Sequence, residues 1–345
     1  MKLLRLTFLA IAAALYTTQA AYALDCRGVN VSHIVTSQQI DALGGWGVNC
    51  IRYPLFNPEE DTDNAEQYDA WLDTQIRYVD RLIPALKRNG MRMVLELYSG
   101  PGGHTVNSNN GGKKPQQALF AYPWAQSEFL NAWQKLAAHY VGEDAIAAYE
   151  IFNEWQMGNA SAKSLKKIGM LPANDLAYNT AVLIRQIDSV HPIIVDTEYG
   201  NPVLATKLKK VLKSGIPGIV ISAHLYAPAS FTHQGIYGYA TGVQYPTKNA
   251  NRKKLMSIVK SLVKVGKTVG QQNIFLGEFG VSRFADEASA SRYLEDVTSI
   301  VQQYGWSDAV LGYGDHGPFD FSLNASGAPA TGPKIEYLRS YLRSK

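Results

Sequence analysis

Cysteine is nearly absent from this chain of 345 residues: only Cys26 and Cys50 occur, with no Cys-x-x-Cys pair and no histidine-rich spacing. That scarcity argues against a metal site or a redox motif. Charge of one sign is not in excess either, since 33 Lys and Arg face 29 Asp and Glu. The short runs "KSLKK" and "KLKK" read as solvated helix faces, and no basic cluster points to nucleic acid. Beyond the N-terminus no apolar run is long enough to span a bilayer. A G-x-G-x-x-G after the first strand-like segment is missing, which argues against a dinucleotide fold. Linkers and low-complexity tracts are also missing, so a single domain is expected. None of these observations calls for a cofactor.

What is present begins with "MKLLRLTFLAIAAALYTTQAAYA". Lys2 and Arg5 precede a short apolar run, and Ala21-Tyr22-Ala23 offers an A-x-A cleavage site. Residues 1–23 are therefore expected to be a cleaved signal peptide. Asp25 before Cys26 disfavours a lipoprotein reading, because a small residue belongs there. The mature domain, 24–345, is expected to be secreted or periplasmic, free of the membrane once cleaved, and monomeric. Export makes a disulfide chemically possible. Cys26 precedes the first strand-like segment and Cys50 opens the second, neighbouring positions if the strands form a parallel barrel. A Cys26–Cys50 bridge is expected, the alternative being two free buried thiols.

Along the mature chain, short apolar strand-like runs alternate with helical patterns. "GVNVSH", "CIRYPL", "MRMVLELYS", "AIAAYEIFNEW", "PIIVDTEYG", "GIVISAHLYAP", "NIFLGEFG" and "AVLGYGDHG" are each followed by a helix candidate, such as the stretch from Tyr68 to Arg88 and that from Asp175 to Ser189. The strands do not alternate cleanly, as expected when both faces are covered. Eight β-α units fit a closed (β/α)8 TIM barrel, an α/β fold, better than an open sheet. The Gly/Asn-rich "GPGGHTVNSNNGGKKPQQ" would then be a loop at the catalytic mouth.

Polar residues collect where these strands end. They are Arg52 on the second, Tyr98 on the third, Asn153 and Glu154 on the fourth, His224 and Tyr226 on the sixth, and Glu278 on the seventh. Barrel active sites are assembled from such ends. A carboxyl group on each of two strands facing one mouth is what glycosidic cleavage needs: one acid, and one nucleophile or base. Glu96 and Glu150 also lie in strands and are expected to pair with Arg52 in the barrel interior. Trp46 and Trp71 read as packing residues. Trp124 and Trp155 lie near the mouth and could stack on sugars, while His104 sits in the loop after the third strand.

Five segments together resemble glycoside hydrolase family 5, the cellulase-like barrels of the retaining four/seven clan. They are "WGVNCIRYPL", "ELYSGPGG", "AAYEIFNEW", "SAHLYAP" and "FLGEFG", in family order over most of the mature chain. The resemblance implies Glu154 as general acid/base and Glu278 as nucleophile. It implies that Asn153 meets the sugar 2-hydroxyl, that His224 orients Glu154 or lines the site, and that Arg52 and Tyr226 lie near Glu278. The chain departs from the family where Tyr98 stands for a histidine, and where Trp155 follows the acid in place of the commoner proline. On strand eight, Tyr313, His316 and Phe319 are offered instead of a tryptophan platform. Arg52, Tyr98, Asn153, Trp155, His224, Tyr226 and Tyr313 are the expected substrate contacts. The implied activity is retaining hydrolysis of a β-linked polysaccharide or oligosaccharide, a β-glucan first, with a β-mannan or a periplasmic exopolysaccharide as alternatives. A non-catalytic carbohydrate-binding barrel would be expected to have lost one carboxylate, and neither is lost.

Overall fold

The computed structural model describes residues 23–57, 64–106 and 116–344. The expected leader therefore lies, but for Ala23, outside the described residues, as does the middle of the Gly/Asn-rich loop. Eight parallel strands close into a barrel: β1 (Arg27–Val31), β2 (Cys50–Leu55), β3 (Arg92–Leu97), β4 (Ile146–Glu150), β5 (Ile193–Asp196), β6 (Ile219–Leu225), β7 (Ile274–Phe279) and β8 (Ser307–Tyr313). Each strand pairs with its sequence neighbours, and β8 returns to β1 with Arg27 opposite Asp308. The principal helices are α1 (Ser37–Gly44), α2 (Ala65–Arg88), α3 (Pro123–Tyr140), α4 (Ala173–Ile187), α5 (Lys209–Leu212), α6 (Lys260–Val269), α7 (Glu287–Tyr304) and α8 (Pro333–Arg343).

Local chemistry sets the boundaries. Thr36 and Gln39 form a capping box at α1, and the Asn64 side chain accepts from the Gln67 N–H at α2. The Asn64 cap starts α2 three residues before the expected Tyr68, a cap of this kind contributing about 1 kcal/mol. Asp286 caps α7, and Gly305 ends it in the left-handed region at φ 66°, where a side chain would be strained. The helix expected around "ATKLKKVLKS" is instead a 3-10 segment, Pro202–Lys207, followed by the single turn of α5.

Strand alternation divides the side chains into two sets. Ile51, Tyr53, Leu95, Tyr149, Val195, Ile221 and Leu276 face outward, in the core beneath the helices. Cys50, Val94, Ala148, Ile194, Val220, Phe275 and Ala309 face inward and fill the lower barrel. Cys26 and Cys50 are joined there as expected, with Cα atoms 5.2 Å apart. A bridge closing a loop of this length contributes about 3 kcal/mol. Gly28 has no room for a side chain, since a Cβ would sit 2.5 Å from the Cys50 carbonyl oxygen. The Gly/Asn-rich loop leaves β3 and returns as an antiparallel pair, His104–Val106 with Gln116–Gln117. No helix among the described residues is long and apolar enough to cross a membrane.

Candidate active site

Two residues above the apolar interior the inward positions turn polar. Arg52 follows Cys50 on β2, Glu96 follows Val94 on β3, Glu150 follows Ala148 on β4, and Asp196 follows Ile194 on β5. Arg52 is 1 % exposed and is bonded on every side. Nε and Nη2 clasp Glu150 at 2.7 and 3.0 Å, and Nη2 also reaches Glu96 at 2.6 Å and Asn153 Oδ1 at 3.0 Å. Nη1 donates to Glu278 Oε1 at 2.6 Å and to Asn30 Oδ1 at 2.9 Å. Burial opposes the guanidinium charge, but Glu150, Glu96 and Glu278 outweigh it and hold its pKa well above the usual value. Burial likewise pushes the Glu96 carboxyl well above the carboxylate range, against the pull of Arg52.

Glu278 reaches this cluster through a bulge. Phe275 faces in and Leu276 faces out, so strict alternation would put Gly277 inside and Glu278 outside. The β6 register runs Ala223 with Leu276, then His224 with Glu278, so Gly277 is the extra residue and Glu278 is turned inward. Gly277 cannot carry a side chain there, because a Cβ would meet Ser222 Oγ at 2.7 Å. Its carbonyl, and that of Ala309, accept from Asn30 Nδ2 at 2.9 Å, which ties the bulge to β1 and β8. The Tyr226 hydroxyl donates to Glu278 Oε2 at 2.9 Å. Burial acts against the Glu278 charge, but His224, Arg52 and the Tyr226 bond prevail and lower its pKa to about 2.

Glu154 sits just past β4 with φ 39°, in the left-handed region that a non-glycine residue rarely adopts. Its N–H donates to Asp196 Oδ2 at 2.9 Å. The His224 ring lies between carboxylates: Nδ1 is 2.8 Å from Glu154 Oε1 and 3.5 Å from Glu278 Oε2, and Nε2 is 3.4 Å from Asp196 Oδ2. Burial lowers the His224 pKa, yet Asp196, Glu278 and Glu154 together raise it to about 10. These carboxylates favour the protonated ring, in which Nδ1–H donates to Glu154 Oε1. Burial also pushes Asp196 up to about 6. One carboxylate oxygen of Glu154, one of Glu278 and a ring nitrogen of His224 all lie within 4.8 Å of one another, as do the corresponding atoms of Glu150, Asp196 and His224.

A cleft of about 310 Å³ opens over Glu278, walled by Arg52, Glu96, Phe56, Tyr98, Leu311 and His316. Of the expected site residues, Arg52, Tyr98 and Glu278 line it, and Asn153 is joined to Arg52, Tyr226 to Glu278, and His224 to both Glu278 and Glu154. Tyr98 stands on the wall, 37 % exposed and edge-on to Phe56. His316 and Phe319 also line the cleft, and Phe319 packs edge-on against Tyr226. Glu96 and Glu150 pair with Arg52 as expected. Trp46 packs on Tyr313 and Phe321, Trp71 on Tyr68, and Trp124 is half-buried against Gly102. The side chain of His104 lies outside the described residues.

Two expected substrate contacts are corrected. Trp155 is 1 % exposed and lies among Phe120, Phe129 and Phe152, with no face free for a sugar. The left-handed turn at Glu154 sends the next side chain into this aromatic core. Tyr313 packs on Trp46 and Phe321 rather than the cleft, whose wall on β8 is Leu311. The register of β8 shifts there, Asn30 facing Leu311 and Val31 facing Tyr313, which breaks the inward sequence. Asp196, Asn30 and Leu311 were missed by sequence reasoning. The position of Asp196, two past an inward apolar residue on a strand end, was the available signal for it.

A closed β/α barrel with two acidic side chains converging beside a buried arginine defines the glycosidase class of site. A family profile described as "Cellulase (glycosyl hydrolase family 5)" matches residues 18–315, and the chain belongs to that family. It is a glycosidase acting on O-glycosyl bonds. "Endoglucanase C" of Acetivibrio thermocellus is 25% identical over 310 residues, 81% of this chain and 84% of that one. "Probable glucan 1,3-beta-glucosidase A" of Aspergillus niger is 22% identical over 299 residues, covering 80% and 69%. Among solved structures, Thermotoga maritima Cel5A in complex with cellobiose superposes with a TM-score of 0.71 at 20% identity, over 94% of this chain and 99% of that one, a likeness of fold.

Proposed function

We propose that this chain hydrolyses a β-linked glucan with retention of anomeric configuration, Glu278 acting as nucleophile and Glu154 as acid and base. The observation that carries the reading is that one carboxylate oxygen of Glu154 lies within 4.8 Å of one of Glu278. Retaining enzymes place their carboxyl groups about 5–5.5 Å apart, and inverting ones roughly 6.5–9.5 Å. Environment divides the roles. Glu278, lowered to about 2 chiefly against burial by His224 and Arg52, is ionised at any working pH and ready to attack. Glu154 is the more exposed of the two, with 27% of its side chain open where a leaving group would depart.

In the first step Glu154 gives its proton to the glycosidic oxygen while a Glu278 oxygen attacks the anomeric carbon. The glycosidic C–O bond breaks, the alcohol leaves, and a glycosyl ester of Glu278 remains. Glu154, now ionised, takes a proton from water, whose oxygen attacks the same carbon. The ester bond breaks and Glu278 returns with its electron pair. Asn153 Oδ1 is committed to Arg52, which leaves its Nδ2 to donate to the sugar 2-hydroxyl. The names of the relatives support a β-glucan as substrate. The Cys26–Cys50 bridge supports an oxidising compartment outside the cytoplasm. We read residues 24–345 as one catalytic domain.

The test is Glu278→Ala with an activated aryl β-glycoside and azide. The expected product is a glycosyl azide of inverted configuration, formed by a variant that does not turn over glucan. Wild-type hydrolysis by the variant would refute the assignment. A screen of β-glucans, β-mannans and acidic exopolysaccharides, with products sized, assigns the substrate. Binding without release of reducing sugar would return the carbohydrate-binding alternative.

A further inference from the structure

We propose that Asp196, which the sequence reading passed over, is a positioning residue for hydrolysis. Its single carboxylate fixes the backbone from which Glu154 projects and seats the His224 ring that touches both Glu154 and Glu278. The inference rests on the acid/base and nucleophile roles given above. Asp196 ends β5 with no exposed surface. Oδ2 accepts from the Glu154 N–H at 2.9 Å and lies 3.4 Å from His224 Nε2, while Oδ1 accepts from the Thr197 N–H at 2.8 Å.

Each contact answers a need. Glu154 is held at φ 39°, where a non-glycine backbone persists only if its surroundings fix it. The Asp196 bond captures the one backbone donor at that position. His224 Nε2 is buried without a hydrogen-bond partner, and the charge facing it is Asp196. On the other edge of the ring, Nδ1 meets Glu154. The order Asp196, His224, Glu154 therefore runs as a line of contacts and ends on the group that handles the proton. The segment after β5 closes the same contact: a Cβ at Gly200 would lie 2.5 Å from Glu154 Oε1 and 2.6 Å from His224 Nδ1. The titratable groups around the ring are Glu96 from β3, Glu150 and Glu154 from β4 and its end, Asp196 from β5 and Glu278 from β7, with Arg52 from β2 and Tyr226 beyond β6 bonded to Glu278. Of the carboxylates touching the ring, Asp196 alone is placed too deep to meet substrate. Burial opposes the ring's charge, and Asp196 is the foremost group restoring it.

A buried aspartate of purely structural value would, on replacement, cost stability and leave proton chemistry alone. Asp196→Asn keeps the shape and an acceptor for the Glu154 N–H but removes the charge. We expect the His224 titration, followed by NMR of the ring, to fall by more than about one pH unit. With it, kcat should fall on the order of ten- to a hundred-fold with little change in KM, and the alkaline limb of kcat/KM should move to lower pH. If the Asn variant does not fold, Asp196→Ser is read in the same ways. A folded variant in which either the ring titration or the pH profile stays as in the wild type overturns the proposal. Glu154→Gln, assayed alongside on unactivated glucan, separates the two readings. Full activity there removes the acid/base assignment itself. Loss of activity there, with wild-type behaviour of Asp196→Asn, removes this inference alone.

Discussion

The two ends of one barrel interior differ in chemistry although the same strands build both. At the lower end the inward residues are Val94, Ala148, Ile194, Val220, Phe275 and Ala309, closed by the Cys26–Cys50 bridge. One pleat higher they are Arg52, Glu96, Glu150 and Asp196, joined by His224 and Glu278. The lower layer stabilises by excluding water from apolar surface. The upper layer removes charges from water, and each is tolerated because it is bonded to an opposite one. Both layers hold the fold together, but reactivity belongs to the second alone. Substitutions at the lower end should therefore cost folding and spare turnover.

The largest effect is expected at the upper end. Glu278→Gln should lower kcat by at least roughly 10⁴-fold, measured by initial rates on protein that melts as a folded chain. Next is Arg52→Leu, which leaves Glu96, Glu150 and Glu278 buried without their cation. It should lose turnover and about 3–5 kcal/mol of stability in urea unfolding. A smaller loss, about 3 kcal/mol, is expected at the lower end for the double variant Cys26→Ser with Cys50→Ser, and its kcat should match the wild type. Intact kcat in Arg52→Leu, or lost kcat in the serine pair, would break the division of labour.

The smallest effect concerns a charge in the apolar half. Asp308 is buried with Oδ2 unpartnered, and burial, offset in part by the Tyr341 hydroxyl, pushes its pKa to about 7. A carboxyl whose folded pKa is raised binds its proton more tightly in the native state, so stability present below about pH 4 is lost as pH rises through 7. Glu278 has the opposite sign: lowered to about 2, it contributes stability above its ordinary value that is lost as pH falls toward 2. Asp308→Asn should raise unfolding free energy by about 1–2 kcal/mol at pH 8, with the gain shrinking as pH falls and gone below about pH 4. A pH-independent difference would remove burial of this charge as the cause.

The barrel was legible because eight apolar runs alternate with eight amphipathic ones, a period that needs no tertiary information. Arg52, Glu154, His224, Tyr226 and Glu278 were legible because charge at the end of an apolar strand requires a reason. What escaped depends on departures from regular geometry. The bulge at Gly277 decides which way Glu278 faces, and glycine in "FLGEFG" does not announce a bulge. The left-handed backbone at Glu154 sends Trp155 into the core, where alternation alone put it at the mouth. A register shift beside Val31 gives the cleft wall to Leu311 instead of Tyr313. Asp196 escaped because one aspartate on a strand end looks ordinary until His224 and Glu154 are placed against it.

The central claim is that two carboxylates this close act by double displacement. Proton NMR of the first product released from an accepted β-glucan, recorded before mutarotation, tests it most directly. The β-anomer appearing first is the predicted result; the α-anomer appearing first would contradict the account.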